Sequence, residues 1–526
     1  MLFPTIRFAL FLAAVLPLSW LLMPNRLRWR VFMVAASWFF YGSWDWRFVG
    51  LLAASTFANQ AFAQRIDRAP GERSRRYWLT LAVVANLGVL GWFKYAGFFA
   101  ENAVGLLHLV GIEAEPPLGD LVLPVGISFF TFQALSYVID VYRRKLHPDT
   151  LLAFAVYLSF FPHLVAGPIV RAREFLPQLR QRRNPRRVDA TLAFWLIAAG
   201  LLKKVVVASY LADRAVDPLF AFPFQHGGVE ALVGVYAYAI QIYADFSGYT
   251  DIAIGVALLL GFRFPQNFDA PYTATSLQDF WRRWHMTLSR WLRDYLYIPL
   301  GGGHGTRAQT YRNLFLTMLL GGLWHGAAWT FVLWGALHGG GLAVERWWDE
   351  LRGRRRPPSG VPDAEVAEVA VSTPPAPVAP ATGGGVAVAL ADPEAPPEPP
   401  LAPRVGVAPA AARTALATWA RRVVTFHVVC LGWVLFRAGS LGTALEVLGR
   451  IVAPGASAVT AVNAVVVLVV AGMLASQYVS AERVAAAQAA VSRWPMLAQA
   501  AALAGVVVLL DVLGPAGVAP FIYFQF

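Results

Sequence analysis

Long apolar runs recur along most of this 526-residue chain, and they constrain its fold more than any other feature. A helix needs about 20 consecutive, mainly apolar residues to cross a lipid bilayer. Only 14% of the residues are charged, against about 25% in soluble globular proteins, so the sequence predicts an all-α polytopic membrane protein with about 11 full crossings and additional re-entrant segments. The runs lie at 5–23, 31–43, 46–64, 77–99, 121–142, 150–170, 190–208, 229–247, 249–262, 313–343, 423–437, 441–473 and 499–516.

The basic residues predict how these helices are oriented. The net charge is +13, but Lys and Arg lie between the apolar runs rather than on one soluble face, so nucleic-acid binding is not expected. Loops rich in Lys and Arg stay on the cytoplasmic side of a membrane. We therefore expect a multi-pass protein of the cell inner (plasma) membrane, surrounded by the lipid bilayer. The segments expected to face the cytoplasm are 25–30, 65–76, 143–145 and 351–356, whereas the acidic segment 101–120 should face outward.

The segment 150–170 does not fit this alternation of sides. A single crossing there would place the Arg-rich segment 171–187 outside the cell, against the distribution of the other basic residues. Pro162, Gly167 and Pro168 also interrupt its helical pattern. Non-helical backbone persists at membrane depth only where protein covers it or where it lines a wet cavity. We predict that 150–170 enters and leaves the membrane on one side and borders a pocket.

Composition divides the chain into three parts. Residues 357–412 are rich in Pro and Ala, and such a segment buries too little apolar surface to become ordered. The sequence thus predicts a membrane core at 1–350, a disordered cytoplasmic linker at 351–420, and C-terminal transmembrane helices at 421–526 that complete the core.

Two aspartates, Asp245 and Asp251, lie within apolar sequence. Ionisable residues inside a membrane are costly and often functional. In the alternative interpretation, Asp245 hydrogen-bonds between helices or helps to break a span near Gly248, and Asp251 pairs with an Arg. Both interpretations stay open from the sequence, and Asp245 is a candidate substrate-binding residue.

The segment 278–296 predicts an amphipathic helix, since its aromatic and aliphatic residues recur at helical spacing between arginines. Such a helix fits the cytoplasmic interface of a membrane, with Ser276 as its cap. His285 and Ser289 are four residues apart and would share one face. A serine nucleophile activated by a histidine is therefore a candidate chemistry.

The glycine-rich stretch 321–340 contains two histidines, His325 and His338. On one straight helix their separation is roughly 20 Å along the axis and about 220° around it. They could share a metal only if the chain doubled back, for example at Gly326, and no metal site is predicted. Burial in low dielectric favours the neutral imidazole, which can take a proton from a hydroxyl. His325 is thus a candidate general base, with a hydrogen-bonded structural role as the alternative.

Six blocks of sequence, in a fixed order, form a recognisable set: "LPVGISFFTFQALSYVIDVYRR", "FFPHLVAGPIVR", "YADFSGYTDIAIG", "FWRRWHMTLSRWLRDYLYIPLGG", "GLWHGAAWTFVLWGALHG" and the terminal "FIYFQF". Together they resemble the membrane-bound O-acyltransferases (MBOAT), and within that family the bacterial alginate O-acetylation (AlgI-type) branch. The resemblance covers most of 1–347 and the tail from about 420.

The resemblance implies a ring of tilted helices around a central tunnel that leads to a catalytic histidine. The essential histidine of the family matches His325, and its second polar active-site position is matched by His285. It also implies that a cytoplasmic thioester, here acetyl-CoA, supplies an acyl group to an extracytoplasmic polysaccharide such as alginate, through an SGNH-type secreted or membrane-anchored partner. A thioester is already activated, so neither a bound cofactor nor a metal is expected. The residues expected to meet the substrates are Trp324, Asp245, Ser289, Arg282 and Arg283.

Two other functions stay open from the sequence. One is D-alanyl transfer from a carrier-protein thioester to teichoic acid, the activity of another MBOAT branch. The other is a non-enzymatic subunit for polysaccharide export, because transporters also contain membrane aspartates and broken helices.

Overall fold

The computed structural model describes residues 1, 3–115, 121–353, 411–452, 461–495, 497–499, 501–502 and 504–505. Within these ranges the regular secondary structure is helical and includes no β-strand. The helices are α1 (Ile6–Leu22), α2 (Arg26–Gly42), α3 (Arg47–Arg68), α4 (Glu72–Leu109), α5 (Ile127–Tyr142), α6 (Leu151–Ser159), α7 (Phe161–Leu164), α8 (Ala172–Arg180), α9 (Ala190–Leu201), α10 (Ser209–Leu211), α11 (Asp217–Ala221), α12 (Gly228–Leu259), α13 (Leu277–Arg283), α14 (Met286–Leu292), α15 (Arg307–His325), α16 (Trp329–Leu351), α17 (Ala411–Arg437), α18 (Leu441–Val452), α19 (Ala461–Ser476) and α20 (Ala481–Ser492).

Short π-helical and 3₁₀ segments connect or extend several of these helices. The π-helical segments are Leu202–Ala208, Ala212–Val216 and Arg293–Tyr297, and the 3₁₀ segments are Pro185–Arg187, Pro223–Gln225 and Pro271–Thr273. Because the π-helical segments link α9 to α10 and α10 to α11, residues Ala190–Ala221 form one long helical rod.

Four helical segments of the described chain are long and apolar enough to cross a membrane: α4, Ala190–Ala221, α12 and the apolar part of α17. Three apolar helices, α1, α5 and α19, are shorter. In the most apolar window of α4 only 17% of the residues are buried, whereas the corresponding value for α12 is 83%. The helix α12 therefore forms the centre of the molecule, and α4 lies at its periphery.

The central helix α12 runs without a break through Gly248, so of the alternatives left open for Asp245 the broken span is wrong. A Cβ added at Gly248 would lie 2.7 Å from the carbonyl oxygen of Gly200, so glycine is needed there for close packing against α9. The two aspartates on α12 form ion pairs with lysines of the neighbouring π-helical segment. Lys204 pairs with Asp245, and Lys203, rather than the expected Arg, pairs with Asp251.

The segment 150–170 is broken and buried. The helix α6 ends at Ser159, Phe160 leaves the helical conformation, and the short helix α7 follows with a proline in its first turn. The Tyr157 hydroxyl donates to the carbonyl oxygen of Val170 at 3.0 Å, which ties the last turn of α6 to the end of this segment. The predicted interruption of the helix is therefore observed inside the protein core.

The remaining sequence expectations concern the acidic segment 101–120, the linker and the C-terminal part of the chain. The acidic segment 101–120 begins as helix, because α4 continues to Leu109. Most of the linker 351–420 and the terminal block "FIYFQF" lie outside the described residues. Beyond the linker, α17 begins at Ala411 and packs against α16 and α12.

Candidate functional site

The two histidines of the stretch 321–340 lie on a tight helical hairpin made by α15 and α16. The helix α15 begins with a capping box, in which the Thr306 hydroxyl accepts from the Gln309 amide. It ends at His325, and the chain reverses through Gly326 before α16 starts at Trp329. A Cβ added at Gly335 would lie 2.6 Å from the carbonyl oxygen of Met318. Glycine therefore allows the two helix backbones to approach closely.

His325 is buried at the turn of this hairpin, with 3% of its surface exposed. Its ring centroid lies 5.0 Å from that of Trp334 and 5.2 Å from that of Phe436. Trp334 also lies 4.8 Å from His338, so the reversal of the chain brings both histidines to one tryptophan. The separation calculated for His325 and His338 on one straight helix thus does not apply, because the two residues lie on different helices. Among the described residues, no group of three or more His, Cys, Asp or Glu side chains is arranged to hold a metal ion.

Two residues of α4 hold the end of α15. The Lys94 ammonium donates hydrogen bonds to the carbonyl oxygens of Trp324 at 2.6 Å and His325 at 2.8 Å. The Tyr95 hydroxyl donates to the carbonyl oxygen of Leu323 at 2.6 Å. The last carbonyls of a helix have no partner within the helix and carry its negative dipole end. Lys94 and Tyr95 therefore satisfy three successive carbonyls and fix the backbone that carries His325.

The sequence analysis did not identify Lys94 or Tyr95 as site residues. They lie about 230 positions before His325, and the spacing of residues gives no sign of that contact. A lysine inside the apolar run 77–99 was the available signal, because an ionisable side chain inside a membrane requires a partner.

His285 lies at a break between two short helices, not on the single amphipathic helix expected at 278–296. The helix α13 ends at Arg283, α14 begins at Met286, and His285 adopts a left-handed backbone conformation with φ of 42°. The amide of Met286 donates to the carbonyl oxygen of Asn267 at 2.9 Å, which stabilises the break. The predicted cap is present, since the Ser276 hydroxyl accepts from the Asp279 amide at 3.0 Å.

The apolar side chains of this segment face the protein core. These side chains and His285 are buried. The expectation that the apolar face of this segment lies on the membrane surface is therefore wrong, because other helices of the protein cover that face. The buried apolar set comprises Phe280, Trp284, Leu288, Trp291, Leu292 and Tyr295.

The expected pairing of His285 with Ser289 is not formed. The Ser289 hydroxyl donates to the carbonyl oxygen of Trp284 at 3.3 Å. The His285 Nδ1 atom instead lies 3.2 Å from Oδ1 of Asn267. The Ser289 amide still donates to the His285 carbonyl oxygen at 3.0 Å, but His285 is the left-handed N-cap of α14 rather than a helical residue, so the two side chains do not share a helix face.

Trp324 lies between the two candidate catalytic histidines. Its ring centroid is 5.0 Å from that of His325 and 6.2 Å from that of His285. Phe246 on α12 packs edge-on against His285 with centroids 4.7 Å apart. Tertiary packing thus brings together His285, Trp324 and His325, which the sequence separates by up to 40 positions.

A cavity of about 1030 Å³ lies beside this cluster, between α13, α14, α15 and α16. Two of the predicted substrate-binding residues, Arg282 and Ser289, line it. Arg283 does not line it, and its guanidinium pairs with Asp279 at 2.8 Å and Asp269 at 3.7 Å. The other cationic side chains of the lining are Arg290, Arg293 and Arg346.

Aromatic rings separate this cavity from His325. Trp281 lines the cavity, and its indole N–H donates to Nδ1 of His338 at 3.3 Å. The Trp281 ring lies 5.6 Å from Trp334, which in turn contacts His325. Neither His325 nor His285 belongs to the lining. Asp245, the remaining predicted substrate-binding residue, is buried in its ion pair with Lys204.

The chain is similar to proteins of known families. The model of the family described as "MBOAT, membrane-bound O-acyltransferase family" matches residues 120–356. The chain is 47% identical over 345 residues to "Probable alginate O-acetylase AlgI" of Azotobacter vinelandii, an alignment that covers 64% of this chain and 67% of that protein. It is 47% identical over 320 residues to the protein of the same name from Pseudomonas aeruginosa, with 60% of each chain covered.

A third relative carries a different name. The chain is 38% identical over 374 residues to "Peptidoglycan O-acetyltransferase" of Helicobacter pylori, covering 64% of this chain and 69% of that protein. The matched part spans between 60 and 69% of the length of these three relatives. His285, Trp324 and His325 all lie inside the segment that the family model matches. Since the chain is 47% and 38% identical to relatives of which 67% and 69% are covered, it belongs to the membrane-bound O-acyltransferase family.

Proposed function

We propose that this protein is a membrane-bound O-acyltransferase that moves an acetyl group from a cytoplasmic thioester, acetyl-CoA, towards the O-acetylation of an extracytoplasmic polysaccharide such as alginate. Three relatives named for O-acetylation support the reaction class. The observation that carries the proposal is the burial of two histidines against one tryptophan, beside a cavity with arginines in its lining.

In the proposed reaction His325 acts as the general base. It takes the proton of the acceptor hydroxyl, and the hydroxyl oxygen forms a bond to the carbonyl carbon of the thioester. The carbon–sulfur bond then breaks, and the proton passes to the leaving thiolate, so that an ester and a free thiol result. General-base catalysis of this kind contributes about 10²–10⁴-fold. His285, across Trp324, orients the reactants, and the surrounding rings exclude water that would hydrolyse the thioester.

The cavity suits the donor. Arginine side chains bind phosphate groups through charge-assisted hydrogen bonds, and Arg282 and Arg290 both line the cavity. We propose that the phosphate-bearing part of acetyl-CoA binds there and that its thioester arm reaches His325 past Trp281. Movement of the Trp281 side chain would open that path, since this ring contacts the aromatic wall beside His325.

The finer architecture belongs to the same proposal. It comprises a ring of about 11 tilted helices around a central tunnel, with the buried, broken segment 150–170 as a re-entrant element in the inner membrane. An SGNH-type partner would pass the acetyl group to the polysaccharide on the outer side. The apolar helices and the helix break at Phe160 support this arrangement.

The test is transfer from acetyl-CoA by membranes that contain the protein, measured as release of free thiol and as acetyl esters on the polysaccharide. His325→Ala should reduce transfer by about 10²–10⁴-fold while the amount of inserted protein stays constant. His147→Ala is the matched control, because 85% of the His147 side chain is exposed and the variant should retain full activity. Normal transfer by His325→Ala would contradict the proposal.

The same assay separates the two alternatives. Transfer from a D-alanyl carrier protein but not from acetyl-CoA would indicate teichoic acid as the acceptor. Polysaccharide export that depends on the protein, with no acyl transfer from either donor, would indicate an export subunit.

A further inference from the structure

Asn267 is a buried residue, 1% exposed, in the loop between α12 and α13. Its side-chain oxygen lies within hydrogen-bond distance of three groups. These are the Thr287 amide at 3.1 Å, the Thr287 hydroxyl at 2.9 Å and Nδ1 of His285 at 3.2 Å. The Asn267 side chain therefore joins the loop to the break in the chain that carries His285.

The direction of each of these hydrogen bonds follows from its partners. The amide of Ile169 donates to the Thr287 hydroxyl oxygen at 3.0 Å, so the hydroxyl hydrogen is directed elsewhere, towards Asn267. The backbone amide of Thr287 can only donate. The Asn267 atom that faces both groups must be the carbonyl oxygen, which accepts and cannot donate.

This assignment determines which nitrogen of His285 carries a hydrogen. A ring nitrogen that points at an accepting oxygen must be the protonated one. In the neutral imidazole the hydrogen is then on Nδ1, and Nε2 has a free lone pair. Nε2 is buried and has no hydrogen-bond partner among the described residues. It can accept a hydrogen bond from a hydroxyl, but the neutral ring cannot donate one from Nε2 to an oxyanion.

We propose that Asn267 is a positioning residue that holds His285 in the tautomer with hydrogen on Nδ1, so that Nε2 accepts a hydrogen bond from a hydroxyl of the acceptor other than the one that His325 deprotonates. The proposal rests on the acyl transfer proposed above. It assigns His285 to the acceptor alcohol, and it leaves the stabilisation of the oxyanion to other groups. Hydrogen-bond partners that orient a metal-bound imidazole contribute about 10–100-fold to activity or affinity, and we expect a loss of the same order when the partner of His285 is removed.

The backbone at His285 supports this role. A left-handed conformation is unusual for any residue other than glycine, and strained conformations persist where surrounding contacts over-determine them. Here the main chain of Asn267 accepts from Met286 at 2.9 Å while its side chain holds His285 and Thr287. One residue therefore constrains both the backbone and the ring.

The test combines nitrogen NMR of the full-length protein labelled at the histidine rings with the transfer assay. The His285 signals, identified by their loss in His285→Gln, should show a protonated Nδ1 and an unprotonated Nε2. In Asn267→Leu the Nε2-protonated form should appear and kcat should fall by about 10–100-fold, with KM for acetyl-CoA nearly unchanged. Asn267→Asp keeps an accepting oxygen, so it should keep the wild-type tautomer and be at least about tenfold more active than Asn267→Leu.

A wild-type spectrum with hydrogen on Nε2 of His285 would overturn the proposal, and this measurement stands even if Asn267→Leu fails to fold. An unchanged tautomer in a folded Asn267→Leu protein would overturn it as well. An absence of acyl transfer in the wild type would instead contradict the proposed function, while the nitrogen signals would still decide the tautomer.

Discussion

The two candidate catalytic histidines are held in place by different means. His325 ends a regular helix of 19 residues, and its backbone is fixed by the close α15–α16 hairpin and by hydrogen bonds from α4. His285 lies outside regular helix, in a left-handed conformation, and its ring is held by the side chain of Asn267. The position of the first therefore depends on packed main chains, and that of the second on one buried amide.

This difference predicts different responses to substitution. The α15–α16 hairpin is closely packed and His325 ends α15, so we expect a clash between the two helices to displace His325. A side-chain hydrogen bond is local, so its loss changes the ring of His285 with little effect on the helices around it. Four substitutions are described from the largest expected effect to the smallest. Three of them test how the backbone of His325 is held, and the fourth tests the neighbouring cavity.

The largest effect is expected for Gly335→Ala. Its Cβ would lie 2.6 Å from the carbonyl oxygen of Met318 and would force α15 and α16 apart. Because misplacement of a catalytic group by about 1 Å can reduce the rate 10²-fold, we expect a loss of about that size in kcat. Gly340→Ala, on the same helix, meets no atom within 4 Å and should retain full activity. Equal activities of the two variants in the transfer assay would show that the hairpin does not position His325.

Removal of the cap on α15 should have the next largest effect. Lys94→Met removes the donor of two hydrogen bonds, to the carbonyls of Trp324 and His325. Each such bond is worth about 0.5–1.5 kcal/mol, so we expect kcat to fall by about 10–100-fold with little change in KM. The control is Lys145→Met, at an exposed position. A rise in KM at constant kcat would indicate that Lys94 binds substrate rather than positioning His325.

A smaller loss is expected for Tyr95→Phe. The variant removes one neutral hydrogen bond, to the carbonyl oxygen of Leu323. Such a bond contributes about 0.5–1.5 kcal/mol, which corresponds to a decrease of about 3–10-fold in kcat. Tyr77→Phe, at a 62% exposed position on the same helix, provides the matched control. If Tyr95→Phe reduced activity more than Lys94→Met, the two hydrogen bonds from Lys94 would not be the main element of the cap.

The smallest effect is expected for Arg282→Gln in the cavity, with the adjacent Arg283 as the matched control. Arg282 lines the cavity, whereas Arg283 is paired with Asp279. Arg282→Gln should raise KM for acetyl-CoA by about two- to threefold, the loss expected for one solvated contact of about 0.5 kcal/mol. Arg283→Gln should leave that KM unchanged. The opposite ranking, measured by initial rates against acetyl-CoA concentration, would place the donor on the other side of α13.

The local features of this protein could be predicted from sequence, and the contacts between distant segments could not. Apolar length predicted helices, and the Ser276 cap was predicted correctly because capping depends on residues three positions apart. The break at His285 was missed because Asn267 stabilises it from 18 residues away. The break considered as an alternative at Gly248 is absent, because a glycine in the sequence does not distinguish a turn from a close helix crossing.

By itself the sequence determined that the protein is helical and apolar, belongs to the MBOAT family, and contains His325 and His285 as candidate catalytic residues. Only the tertiary structure decided that these histidines meet across Trp324, that Lys94 and Tyr95 hold the end of α15, and that Asn267 orients His285. The physical reason is the range of each interaction. Helix formation and burial follow from neighbouring residues, whereas the geometry of a site depends on packing between segments that are far apart in the chain.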